Sequence, residues 1–236
     1  MTGGNAYQSS DTLAELALDV CFGFGFAILL EKVRERTGSV MHNFGALIVT
    51  GITLFAVAFG LGVFYNPAFS SESVDAPLFN TILLGYGIPA VLAAYLALKT
   101  RETRPRWHSA ILAIVAVALA LGYLSLQVMR IYHGPILTEG PTTDAEQYTY
   151  SAVWLAFGVV LLAAGIYLRS LPLRIASAAV VLLTVFKVFF VDMSDLTGIY
   201  RALSFIGLGA VLMGIGWFYQ RLLFPRQPPL GDSATT

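Results

Sequence analysis

Ionisable residues are scarce in this chain, so the places where they meet long apolar runs carry the chemical information. Lys187 lies inside VLLTVFKVFFVD, with Asp192 closing that run and Asp195 and Arg201 just beyond it. Near the other end, Glu15 and Asp19 sit in TLAELALDVCFGFGF. Their i,i+4 spacing puts them on one face of a helix. A charge at the centre of a bilayer costs about 2.5–3.5 kcal/mol, so such a group pairs, reaches water or serves a function. Two kinds of chemistry fit. One is a set of ion pairs that locks helix against helix, with Lys187 extending its stem toward the interface. The other is a polar site in the membrane: a proton or ion relay, or a pocket for a lipid head group. Glu15, Asp19, Lys187, Asp192, Asp195 and Arg201 are the candidate intramembrane polar cluster. In an α-helix, residues five apart point about 140° away from each other. That arithmetic sets Asp192 aside as a partner for Lys187 and predicts the pairs Asp19–Lys187 and Asp192–Arg201.

Other chemistries lack their residues. His42, His108 and His133 fall in connections on both sides, and no HExxH is present. The single cysteine, Cys21, excludes a disulfide framework and a cysteine zinc cluster. GFGF at Gly23 and Gly25 is followed by no Lys-Ser/Thr, so it is no phosphate loop. There is no G-x-S-x-G nucleophile turn. The expectation is therefore no catalytic residue, no metal and no cofactor. A buried lysine in a seven-helix chain invites comparison with retinal proteins, but those carry it in the seventh helix with acids in the third. Here Lys187 falls in the sixth, and 79–98 contains no acid.

The elements that hold these residues follow from composition. Of 236 residues, 57% are hydrophobic and 12% charged, and mean hydropathy is +0.74. A soluble domain carries about 25% charged residues. Lys and Arg balance Asp and Glu at 14 each, which leaves no basic field for nucleic acid. These values exclude a soluble globular enzyme and a disordered regulator, and predict an all-α, polytopic integral membrane bundle. A span needs about 20 apolar residues. Seven segments approach that, near 12–30, 46–65, 79–98, 110–128, 152–168, 175–191 and 202–220. They form a single transmembrane domain over 1–222, and the Pro-rich 223–236 reads as a flexible tail. MTGGNAYQSSD has no basic residue and does not read as a signal peptide. Met129–Ser151 is the longest connection. Pro89, beside Gly85 and Gly87, predicts a kink within one continuous third span. Gly207, Ala210 and Gly214, and likewise Ala118 and Gly122, predict small faces for close helix contact.

Basic residues orient the bundle, because Lys and Arg in short loops stay cytoplasmic. Lys32, Arg34, Arg36, Lys99, Arg101, Arg104, Arg106, Arg169, Arg174, Arg221 and Arg226 fall on one side. Arg130 and Arg201 fall on the other. This predicts an N-terminus outside and a cytoplasmic C-terminus. Aromatic residues such as Tyr132, Tyr148 and Trp154 at one set of ends, and Trp107, Tyr167 and Trp217 at the other, fit interfacial belts.

The C-terminal third resembles a known pattern. In KVFFVDMSDLTGIYRALSFIGLGAVLMGIGWFYQRL the matching residues are Lys187, Phe189, Asp192, Leu196, Tyr200, Arg201, Ser204, Phe205, Gly207, Gly209, Tyr219 and Gln220. YGIPA at Tyr86–Ala90 and YSAVW at the start of the fifth helix add weaker matches. This is similar to the closing segment of the bacterial membrane proteins grouped as domain of unknown function 2339, and the resemblance is strongest over Ser151–Leu222. It implies an integral protein of the bacterial inner membrane and supplies no catalytic residue.

Two functions follow. The first is a non-enzymatic membrane module, a subunit of a larger assembly or a transport-related bundle. Its partners would be the lipid bilayer and other membrane subunits or phospholipid. The second is a membrane enzyme or lipid-binding protein acting on a lipid-linked substrate at the outer leaflet, using the ionic cluster, His133 and the acidic stretch Glu139–Glu146. The module is the reading carried forward.

Overall fold

A computed structural model describes residues 5–69, 80–192 and, in part, 206–220. The first helix, α1, is Asn5–Thr37. The second, α2, is Val40–Phe55 and continues as a π-helical segment, Ala56–Phe64. A second π segment, Leu83–Gly87, runs directly into α3, Ile88–Thr100. Then come α4, Arg106–His133, and α5, Asp144–Tyr167. The helix α6, Leu171–Lys187, continues as a third π segment, Val188–Asp192. Among the described residues there is no strand. Among the described residues, six helices are long and apolar enough to cross a membrane. Of the seventh expected span, 202–220, the described residues, including Ile206, Ala210, Met213 and Trp217, are helical.

The helices outrun the apolar segments that announced them. α1 carries EKVRER as its last turns, α2 begins at Val40 and α4 ends at His133. Hydropathy marks only the part of a helix that meets hydrocarbon. Backbone hydrogen bonds continue the helix into the interface, where charged side chains cost little. The long connection after α4 shrinks accordingly to a turn between His133 and Asp144, with Gly134 (φ 78°) and Gly140 (φ 91°) in backbone regions that favour glycine.

Pro89 does not divide the third span. It occupies the first turn of α3, where a missing N–H is harmless. The π segment ends at Gly87, so the change of helical pitch falls just where proline removes a backbone bond. Gly87 and Ile88 both keep right-handed helical angles, and the chain runs through without a loop.

Two compact units divide the chain, residues 1–146 and 147–236. In the first, Phe24, Leu61, Ile82, Leu96 and Leu112 are fully buried. The Tyr86 hydroxyl donates to the Leu61 carbonyl at 2.5 Å, joining the first two π segments. The Tyr86 ring packs against Gly122, one of the small residues singled out in the fourth span. In the second unit, Ser177 Oγ donates to the Gly158 carbonyl at 2.7 Å, binding α6 to α5. Among the described residues nothing lies within 4 Å of a Cβ built on Gly207 or Gly214, so the close contact expected there is not made by them.

The two glycines of GFGF have different work. A Cβ on Gly23 would lie 2.3 Å from Thr53 Oγ1, whereas one on Gly25 meets nothing within 4 Å. Gly23 thus lets α1 approach α2, and Gly25 faces outward. Gly23→Ala is expected to destabilise the protein by about 1–3 kcal/mol through overpacking. Gly25→Ala should be neutral or stabilising by up to about 1 kcal/mol from helix propensity. Denaturation of the two variants in detergent checks the contrast.

Candidate functional site

The third π segment assembles a polar site among the described residues of the second unit. Lys187 ends α6, and Asp192 ends the π segment that follows. In an α-helix these two side chains would diverge. A π-helix bonds i to i+5, which stacks residues five apart above one another. The Lys187 ammonium accordingly meets Asp192 Oδ1 at 2.5 Å. It also donates to Ser151 Oγ at 2.9 Å and to the Gln147 carbonyl at 3.0 Å. Ser151 in turn donates to Asp192 Oδ2 at 2.5 Å. The Asp192 side chain is 2% exposed and that of Lys187 14%. The Tyr150 ring centre lies 6.0 Å from Nζ, at the limit of a cation–π contact.

All three N–H groups of the ammonium are engaged, so its partner is Asp192 in place of the expected Asp19. The α-helical arithmetic failed because the backbone there is not an α-helix. An ammonium held against a carboxylate at this distance cannot take a proton from the Ser151 hydroxyl, so the trio is a closed ionic clasp. Asp195 and Arg201, and with them the expected Asp192–Arg201 pair, lie outside the described residues. Glu15 and Asp19 belong to the first unit. Both are exposed on α1, and no ion pair is formed by either among the described residues.

Lys187, Asp192 and Ser151, which come together here, all stand in the segments that carried the sequence resemblance. A family described as predicted membrane protein (DUF2339) matches residues 1–222, which include those segments. The chain belongs to this family. No curated protein and no solved structure matches it. DUF2339 membership and the six long apolar helices make the chain a multi-pass membrane protein.

The described residues of this DUF2339 chain hold two further polar clusters: one joins His133 to the acidic stretch named with it in the sequence, and the other has no counterpart there. At one end of the first unit, His133 Nε2 and Glu146 Oε2 are 3.0 Å apart, and His133 Nδ1 meets the Glu139 carbonyl. A carbonyl only accepts, so Nδ1 carries a proton. The proton between Nε2 and the Glu146 carboxylate is then shared by an imidazolium–carboxylate pair or lies on Glu146. This clasp closes the α4–α5 turn. Thr143 Oγ1 accepts the Glu146 backbone N–H at 3.2 Å, a helix cap announced by the sequence TTDAE.

At the other end of the first unit, Glu31 is 3% exposed and sits between two guanidinium groups. Arg34 Nε donates to its Oε2 at 2.8 Å, and Arg104 Nη2 lies 2.6 Å from its Oε1. Arg104 also donates to Asn43 Oδ1 at 2.6 Å, and Lys99 pairs with Glu35 at 2.8 Å. These bonds tie the end of α1 to the start of α2 and to the α3–α4 turn. The Glu31–Arg34 pair was legible as an i,i+3 spacing. No local pattern foretells Arg104.

Breaking the Lys187 clasp on one side leaves a buried charge unmatched. Lys187→Met or Asp192→Asn alone is expected to cost about 3–5 kcal/mol. The double variant should cost clearly less than the sum. Additive losses in a detergent or bilayer unfolding assay would show that the pair is not coupled.

Proposed function

We propose that this chain is a non-enzymatic module of the bacterial inner membrane, a subunit that docks on another membrane protein through the outer half of α1. The observation that carries the reading is the exposed face bearing Glu15 and Asp19. Leu18, Phe22 and Phe26 share it and are 42%, 72% and 52% exposed. Asp19 sits about 10 Å along the helix from Thr12, where the candidate span begins. An unpaired carboxylate there costs a few kcal/mol against lipid. A partner helix presenting a basic side chain at the same depth, and apolar groups to cover Phe22 and Phe26, removes that cost. The second unit's own lysine is already committed to Asp192. Among the described residues the buried Lys187–Asp192 and His133–Glu146 pairs are closed, which suits a scaffold better than an enzyme needing a free acid or base.

The basic residues support an orientation with seven spans, the N-terminus outside and the C-terminus cytoplasmic. Reporter fusions at Ser39, Thr103 and the C-terminus are expected to read cytoplasmic, and one at Ser73 external. A cytoplasmic signal at Ser73 would sink the arrangement.

A photo-crosslinking residue at position 22, used in native membranes, tests the docking face. The expected result is an adduct with a second protein that weakens severalfold in Asp19→Asn. Labelling of lipid alone, labelling only within the chain, or an adduct indifferent to Asp19 would overturn the reading.

A further inference from the structure

The basic end of the first unit holds more positive charge and more unsatisfied polar groups than its own pairs require. The segments EKVRER and KTRETRPR contribute Lys32, Arg34, Arg36, Lys99, Arg101, Arg104 and Arg106 against Glu31, Glu35 and Glu102. The bonds from Arg104 to Glu31 and from Lys99 to Glu35 bring both segments to one end of the fold. At its centre a single carboxylate, Glu31, faces two guanidinium groups, which leaves one positive charge unmatched.

The unsatisfied groups belong to residues of this network or to their neighbours in the chain. Arg34 Nη2 is buried and has no acceptor, while the side chain as a whole is 19% exposed. His108 is 6% exposed, and neither ring nitrogen has a partner. Its ring lies within electrostatic reach of Arg104 and Glu31. His42, next to the Asn43 that holds Arg104, has a buried Nδ1 without a partner. Buried polar groups are nearly always hydrogen-bonded, and a cluster of orphans asks for a water or an ion. Here the orphans sit in a field of excess positive charge, beside a guanidinium that is still partly open. That combination selects an anion with several acceptor oxygens. Trp107, 62% exposed and edge-on to His108 at 5.9 Å, places the cluster at the level of an interface. Basic pockets at the cytoplasmic ends of spanning helices suit anionic head groups.

We propose that Arg34, His108 and the Glu31–Arg104 pair form a phosphate-binding site at this end of the first unit, taking either the phosphodiester of an anionic phospholipid or free inorganic phosphate. Arg34 Nη2 and a ring N–H of His108 donate to the phosphate oxygens. Glu31 is a positioning residue that fixes both arginines.

The full chain in detergent micelles, titrated with phosphatidylglycerol, phosphatidylcholine or inorganic phosphate and read by native mass spectrometry, tests the site. The expected result is selective binding of phosphatidylglycerol or of phosphate, weakened roughly tenfold or more in Arg34→Gln and His108→Gln. Arg101→Gln, an exposed change outside the cluster, should alter it little. Millimolar phosphate that fails to displace phosphatidylglycerol assigns the site to the lipid; displacement assigns it to the free anion. Equal binding of phosphatidylcholine with no phosphate adduct would overturn the proposal. So would an Arg101→Gln effect as large as that of Arg34→Gln, because the interaction would then be diffuse surface charge. The wild-type selectivity decides the matter even if a variant fails to fold.

Discussion

A charge that enters a bilayer needs a partner, and the ionic clasps of the described structure follow from that constraint. Lys187 can lie near the end of α6 only because Asp192, Ser151 and a backbone carbonyl receive all three of its N–H groups. Glu31 can be buried only because two guanidinium groups flank it. His133 and Glu146 meet across a turn and hold two helix ends together. Each of these clasps also does the packing work that hydrophobicity cannot do in lipid, where apolar surface gains little by leaving one apolar medium for another.

Close backbone approach is the complementary device. Gly23 admits Thr53, and Gly122 admits the ring of Tyr86. Tyr86 then reaches the carbonyl of Leu61 within a π-helical segment. A π turn leaves its carbonyls less regularly matched than an α turn does, and a hydroxyl from a neighbouring helix satisfies one of them. Polar groups thus pin the apolar helices of the first unit at both ends and at one point between.

The membrane class, the helical architecture and the family resemblance were legible because each depends on composition or on local spacing. Apolar runs of about 20 residues have few alternatives to a spanning helix. The continuity of the third span through Pro89 was also legible, from the apolar run on both sides. What escaped was whatever depended on helical pitch or distant pairing. The Lys187 partner escapes because sequence does not announce a π turn, and the 140° of an α-helix does not hold where the backbone is wider. Arg104 contributes to the basic bias of its side, yet nothing within KTRETRPR says that it reaches Glu31. The helices outrun their apolar segments at both ends because charge and polarity mark the end of the hydrocarbon rather than the end of a helix. The cap at Thr143 was readable in TTDAE and shows that the loop before α5 is short.

The π segment after Lys187 also bears on how such a sequence can change. A wide turn is an α-helix that has absorbed one additional residue without discarding the contacts on either side. Removing a single residue between Lys187 and Asp192 would leave them four apart, a spacing at which an ordinary α-helix again stacks lysine over aspartate. The ionic clasp therefore survives a change of length that would rotate the buried face of most helices out of register. Relatives in which the two residues stand four apart, with no π turn between them, can be expected to keep the same contact.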